Sequence, residues 1–284
     1  MNITTRNQLL YQQVAESCSK MVTHKYSTSF SLGIWMLHKS IRNPICAIYG
    51  FVRLADEIVD TFLENDQLFL LNRFREDTYL AIENKISLNP ILHNFQEVVR
   101  EYNIGHELID AFFKSMEMDL NYQNHSESSY KEYIYGSAEV VGLMCLCVFT
   151  NGNRNQYTEL SGAAVYLGSA FQKVNFLRDM RQDSIELQRQ YFPQLQISGF
   201  TKSVKKDIER DIEEDFSKAY RGMIRLPIKA RLGVFLAYLY YLTLLRKIKM
   251  VPPEKIASVR IRVPNRTKCY LLCKALVLNR FNLL

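Results

Sequence analysis

The stretch IYGFVRLADEIVD at residues 48–60 sets an arginine and three acids into a run whose other positions suit a buried helix. Carboxylates that point into a core have to be paired or to coordinate a cation, because an isolated buried charge loses its hydration. On a helical wheel of about 100° per residue, Tyr49, Arg53, Asp56 and Asp60 fall within an arc of about 60°, with apolar residues over most of the remainder. A second polar stripe lies far along the chain in FQKVNFLRDMRQD, residues 171–183. There Gln172, Asn175, Asp179 and Asp183 fall within about 80° of one another.

Spacing alone does not separate a site from a solvated surface. With eleven Asp in the chain, chance gives roughly 0.4 Asp-x-x-x-Asp pairs. Four are present: Asp56/Asp60, Asp179/Asp183, Asp207/Asp211 and Asp211/Asp215. The last two lie in KKDIERDIEEDFSK among Lys and Glu, with only Ile208, Ile212, Phe216 and Ala219 as an apolar stripe, so a solvated face is expected there. The first two, if they face each other across a bundle, repel unless cations sit between them. Carboxylate, amide and water oxygens suit Mg²⁺, which binds through one or two carboxylates and completes its shell with waters and substrate phosphates. The pattern reads as a diphosphate clamp; the alternative is a pair of Asp–Arg networks, Asp56 with Arg53 and Asp179 with Arg178, that lock the bundle.

Only 11 Gly and 7 Pro punctuate 284 residues of 48% hydrophobic content. Apolar residues recur at three- and four-residue spacing and almost nowhere with period two, which predicts an all-α protein. Helices are expected over about residues 5–22, 41–62, 65–84, 90–102, 105–121, 128–150, 155–186, 202–223, 226–249 and 264–282. The breaks fall at RNP before Ile45, LNP before Ile91, NIG, TNGNRN and VPP, none long enough for an interdomain linker, so a single domain over 1–284 is expected.

The net charge of +7 is uneven, with fifteen Lys or Arg from Lys218 onward against one acid, Glu254. Such a tail suits phosphate groups, nucleic acid or an anionic lipid surface, or forms ordinary solvated faces. The run LGVFLAYLYYLTLL, residues 232–245, has fourteen residues against the roughly 20 needed to span a bilayer. It reads as a buried helix, with a peripheral membrane contact through it and its flanking RKIK as a further expectation. The six cysteines lack CxxC pairs and are expected as reduced core thiols. The N-terminus has no apolar signal core, which predicts a cytoplasmic location.

YGFVRLADEIVD resembles the Tyr-x-x-x-Arg-x-x-Asp-x-x-x-Asp helix of the squalene/phytoene synthases, the head-to-head branch of the trans-isoprenyl diphosphate synthases. FQKVNFLRDMRQD resembles that family's Gln-x-x-Asn-x-x-Arg-Asp-x-x-x-Asp helix, and RQYFP after it is similar to the family's Arg-x-Tyr-x-Pro. Weaker matches carry the resemblance over residues 24–262: YSTSF at 26–30, YIYGSAEVVG at 133–142 and YLTLLRKI at 241–248. Two places depart from the pattern. Ser137-Ala138-Glu139 stands where many members have Val-Ala-Gly, and Arg181-Gln182 where many have Gly-Glu.

The resemblance implies an isoprenoid-synthase-type helical bundle with a central apolar cavity and three Mg²⁺ on Asp56, Asp60, Asn175, Asp179 and Asp183. It places Tyr26, Ser27, Thr28, Ser29, Tyr49, Arg53, Gln172 and Arg178 on diphosphate oxygens, Phe30 in the cavity wall, and Tyr133 and Tyr241 beside the reacting cations. The implied reaction ionises one prenyl diphosphate to an allylic cation, forms a cyclopropyl intermediate with the second, and rearranges it to a 1–1′ linked product. Phytoene from two geranylgeranyl diphosphates, without NADPH, is the expected outcome, for carotenoid biosynthesis. The alternative is squalene, dehydrosqualene or presqualene diphosphate from farnesyl diphosphate. A terpene cyclase has Ser/Thr and Glu where this chain has its second Asp pair, and a nucleic-acid-binding scaffold leaves both acidic stripes unexplained; no nucleic-acid partner is expected.

Overall fold

Side-chain caps and prolines divide the described residues, 3–121, 125–256 and 260–281 of the computed structural model, into α-helices and one π turn. The first seven helices are α1 (Ile3–Tyr26), α2 (Thr28–Trp35), α3 (Lys39–Asp60), α4 (Gln67–Asn84), α5 (Pro90–Glu101), α6 (His106–Leu120) and α7 (Glu127–Ile134). A π turn (Tyr135–Glu139) joins α7 to α8 (Val140–Phe149). Then come α9 (Arg154–Ile185), α10 (Pro193–Ser198), α11 (Lys202–Met223), α12 (Ile228–Lys249), α13 (Pro253–Ile256) and α14 (Asn265–Arg280). Asp66, Asn89, Ser126, Asn153 and Thr201 each accept a first-turn N–H of the helix that follows, satisfying donors that have no partner inside the helix.

The expected all-α class is what the chain adopts, and the departures have local causes. Ser27 accepts from the Phe30 N–H and starts α2, a helix too short for its apolar period to stand out. His38 caps α3 ahead of the expected start, and the helix runs through Pro44 instead of breaking there; the ring forfeits only the bond to the Ser40 carbonyl. VPP does end α12, but Pro253 at once opens α13. The expected helix 128–150 is continuous except for its π turn, which fits because Gly136 carries no Cβ: one would sit 2.4 Å from the Ala111 carbonyl oxygen.

Phe51 fastens the back of α3. Its ring is fully buried, stacked 3.9 Å from Phe95 and within 6 Å of Phe74, Phe112 and Phe113 on α4 and α6. With that face committed, the opposite one, carrying Tyr49, Arg53, Asp56 and Asp60, turns to the centre of the bundle. On the other side α9 lies along α11, so closely that a Cβ on Gly222 would meet the Ala163 Cβ at 2.2 Å. The two halves form separate apolar clusters that meet at Phe149, Tyr157 and Ala164, with a cavity between them. Residues 127–149 and α12 have the length and hydropathy of membrane spans, yet about half of each is buried in this packing.

The helix α11 corrects one expectation. Asp207 is exposed beside Arg210, but Asp215 is buried and accepts from Lys173 Nζ at 2.7 Å and from the Ser169 hydroxyl at 2.8 Å. Asp211 accepts from the same ammonium at 2.5 Å, and Lys205 pairs with Glu209 in a second buried contact. The surrounding Lys and Glu looked like a solvated face, while the partner that draws Asp215 inward, Lys173, sits on α9. Burial opposes the charged lysine, but its bonds to Asp211 and Asp215 outweigh that and raise its pKa. Cys269 and Cys273 are a further correction: both are exposed on α14, not in the core.

Removing one partner of a buried ion pair strands the other, so Asp215→Asn should cost about 3 kcal/mol in urea unfolding, and Asp207→Asn less than about 0.5 kcal/mol. Equal losses would show that the Lys173 cluster does not hold α9 to α11.

Candidate active site

The cavity encloses 750 Å³. Its wall is polar at one end and apolar elsewhere, and both acidic stripes lie at the polar end. Tyr49, Arg53, Asp56 and Asp60 reach it from α3, and Gln172, Asn175, Arg178, Asp179 and Asp183 from α9. Tyr26, Ser27 and Phe30 enter from the α1–α2 junction, with Phe30 stacked 5.0 Å from Tyr49. Thr28 and Ser29 do not line the cavity. Thr28, the first residue of the capped helix α2, is exposed and accepts from Lys268 Nζ at 3.1 Å, while Ser29 is half-buried. Tyr241 stacks on Phe171 at 3.9 Å and donates to Asn175 Oδ1 at 3.2 Å.

Asp56, Asp60, Asp119 and Asp179 at the polar end each have an arginine within 4 Å. Arg178 holds Asp179, which also lies 3.1 Å from Arg260; Arg53 pairs with Glu57 and stands 3.8 Å from Asp56. Arg53 also lies over the Tyr26 ring, 4.4 Å from its centroid. These Asp–Arg pairs and the shared cavity coexist, so the two readings left open by the sequence are not exclusive.

Four side chains at the same place were not singled out from the sequence. Asp119, on α6, is buried and accepts from Tyr133 at 2.8 Å and Tyr191 at 3.0 Å. Arg189 donates to Asp60 Oδ1 at 2.7 Å and to the Val59 carbonyl at 3.0 Å, lies 3.6 Å from Asp119, and gives its backbone N–H to the Asp183 carbonyl. It therefore ties the end of α3 to the end of α9. Arg189 and Tyr191 belong to RQYFP, whose resemblance was visible though it suggested no geometry. Asp119 had a signal too: it continues the core spacing Phe112, Met116, Asp119 on α6. Arg260 had none beyond the basic tail.

Crowded acids shift upward. Asp56 is a third exposed, but that third opens onto the cavity, and burial followed by the Asp60 charge raises its pKa to about 7. Asp183 rises to about 8 through burial, then Asp179 and Asp60. Asp119 rises to about 6 through burial, held back by Arg189 and the Tyr133 hydroxyl. Burial works against the Arg189 charge, and Asp119 and Asp60 more than offset it. Among the described residues no three His, Cys, Asp or Glu side chains gather tightly enough to hold an ion alone. The donors are all oxygens, spread around a gap, a set that fits a hard cation sharing its shell with a phosphate ligand.

Residues 23–267 match the family model described as squalene/phytoene synthase. Among curated proteins, the chain is 26% identical over 185 residues to a 4,4'-diapophytoene synthase of Staphylococcus haemolyticus, covering 63% of this chain and 62% of that one. It is 28% identical over 169 residues to a presqualene diphosphate synthase of Rhodopseudomonas palustris, covering 58% of each. A chloroplastic phytoene synthase 1 of Solanum lycopersicum is 27% identical over 197 residues, 66% of this chain and 45% of that one. The aligned region thus spans less than two thirds of each of these relatives. A solved dehydrosqualene synthase shares the fold with a TM-score of 0.80 at 20% identity, over 95% of this chain and 98% of that one. A squalene synthase from Alicyclobacillus acidocaldarius gives 0.73 at 17% identity, over 84% and 95%.

With Asp56, Asp119 and Asp183 raised above the ordinary carboxylate value, the folded chain binds more protons than the unfolded one between about pH 4 and pH 8. Stability of the metal-free protein should therefore fall as pH rises through that window, and Asp183→Asn should raise the melting temperature at pH 8 more than at pH 5. A melting temperature that climbs from pH 5 to pH 8 would contradict the shared burial of these acids.

Proposed function

The chain belongs to the squalene/phytoene synthase family, and we propose from that premise that it is a Mg²⁺-dependent prenyltransferase joining two prenyl diphosphates head to head. One observation carries the reading: acids from α3 and α9 open at the polar end of one cavity whose remaining walls are apolar. A diphosphate with a long hydrocarbon tail is a ligand divided in the same way. At 750 Å³ the cavity lies in the upper half of the roughly 300–1,000 Å³ range of small-molecule pockets.

Asp56, Asp60, Asn175, Asp179 and Asp183 would hold Mg²⁺, whose charge, when bound, makes diphosphate a better leaving group. Arg53, Arg178 and Gln172 lie beside them to take diphosphate oxygens, the arginines by bidentate forks. Arg260 and Arg189 add positive charge to the same rim. Ser27 and the positive end of α2 stand at the mouth, where an anion is favoured. Tyr241, stacked on Phe171, and Phe30, stacked on Tyr49, present aromatic faces where allylic cations have to survive. The apolar wall keeps water from quenching those cations. The Tyr133 hydroxyl is committed to Asp119, so Tyr133 acts here as a positioning residue.

Phytoene from two C20 diphosphates, without NADPH, is the product we favour. The presqualene diphosphate synthase among the relatives supports a second reading with C15 substrates. Incubation with Mg²⁺ and each of the C15 and C20 diphosphates, with and without NADPH, followed by product mass, distinguishes them. A C40 hydrocarbon from C20 substrate alone is expected. Release of a cyclic monomeric product would overturn the condensation. Asp56→Asn and Asp179→Asn should each lower turnover at least about 10²–10³-fold with the fold intact, and Asp207→Asn should leave it unchanged.

A further inference from the structure

The C-terminal helix carries two apolar faces where a packed helix needs one. Leu271 and Ala275 are buried against the bundle, with Leu272 and Leu278 partly buried beside them. On the opposite side Tyr270, Cys273, Val277 and Phe281 follow the spacing of one helix face, within about 80° on a wheel of 100° per residue. All four are exposed, Tyr270 at 65%, Val277 at 54% and Phe281 at 69%. Exposed Arg266, Lys274 and Arg280 flank this ridge, and α14 contains no acid.

We infer that this outward face of α14 docks on an anionic bilayer surface. An apolar ridge between basic side chains is the composition of a helix that lies in the lipid headgroup layer, its ridge inserted and its cations on lipid phosphates. Charge selects this occupant over a second copy of the chain. Fifteen basic residues and a single acid from Lys218 onward make the surface around α14 positive, so self-pairing through the ridge would set like charge against like. Many apolar residues of α12 are committed to the core and the cavity wall, although Ile228 at its start is exposed, so α14 offers the longer uncovered apolar face. Lys268, on the inward side of the first turns of α14, donates to Thr28 and lies 5.7 Å over the Tyr240 ring, which fixes that end of the helix against the bundle and leaves the ridge facing away from it.

The inference does not depend on the prenyl chemistry, since binding is read without substrate. The full chain should sediment with phosphatidylglycerol vesicles and not with phosphatidylcholine vesicles, and the binding should weaken as salt rises. Tyr270→Ser/Val277→Ser, and separately Lys274→Glu/Arg280→Glu, should each lower the fraction bound at least tenfold at unchanged melting temperature. Equal binding to both vesicle types, or retention of binding by either double variant, overturns it. So does a wild-type dimer in gel filtration that the ridge variant converts to monomer, which would make the face a self-interface.

Discussion

Mutual repulsion among carboxylates that share an apolar chamber is the condition around which the rest of the bundle is arranged. Asp56, Asp60, Asp119, Asp179 and Asp183 all reach the polar end of one cavity. Burial and each other's charge push three of them toward neutrality. Four arginines lie among them, and Arg189 alone touches Asp60, Asp119 and the backbone of both acidic helices. Such a cluster is costly to fold and useful only to something that supplies positive charge. On the proposed reading, cations and a diphosphate relieve that cost together.

The scaffold follows from keeping those acids facing one another. Stacked phenylalanines behind α3 leave it one orientation, with its polar stripe inward. Close approach of Gly222 to Ala163 and the buried Lys173 cluster do the same for α9 from the α11 side. Between them, α7 brings Tyr133 onto Asp119, and the π turn and α8 after it place Ala138, Val141 and Gly142 along the cavity wall. Departures from helical regularity of this kind are common beside functional sites. Here it falls within the stretch where Ser137-Ala138-Glu139 departs from the family pattern, and Glu139, its pKa raised to about 7 by burial and then by Asp215, borders the Lys173 cluster.

Much of the site was legible because its periodicity is that of a helix. Asp56 with Asp60 and Asp179 with Asp183 announced themselves as polar residues on greasy helices, and two such stripes implied a meeting point. What escaped depends on partners distant in the chain. Asp215 looked solvated until Lys173 was seen across from it, and Arg189 sits in an irregular segment whose path no spacing rule predicts. Thr28 and Ser29 follow a motif, yet neither lines the cavity, and Thr28, at the start of a capped helix, is exposed. Helix boundaries failed mainly where an element was short, as in α2 and α13, since a period needs several turns to show. The outward ridge of α14 resembles the inward one in sequence, and only the packing tells which is covered.

The most direct test of the central claim is calorimetric titration of inorganic diphosphate into the protein, with and without Mg²⁺. If the facing acids and their arginines form a single cation–diphosphate site, diphosphate binds strongly only when Mg²⁺ is present, Mg²⁺ binds more tightly when diphosphate is present, and Asp60→Asn or Asp183→Asn weakens both to a similar degree. Diphosphate binding that is unaltered by Mg²⁺, or that survives both substitutions, would mean that the two stripes do not act on a common ligand.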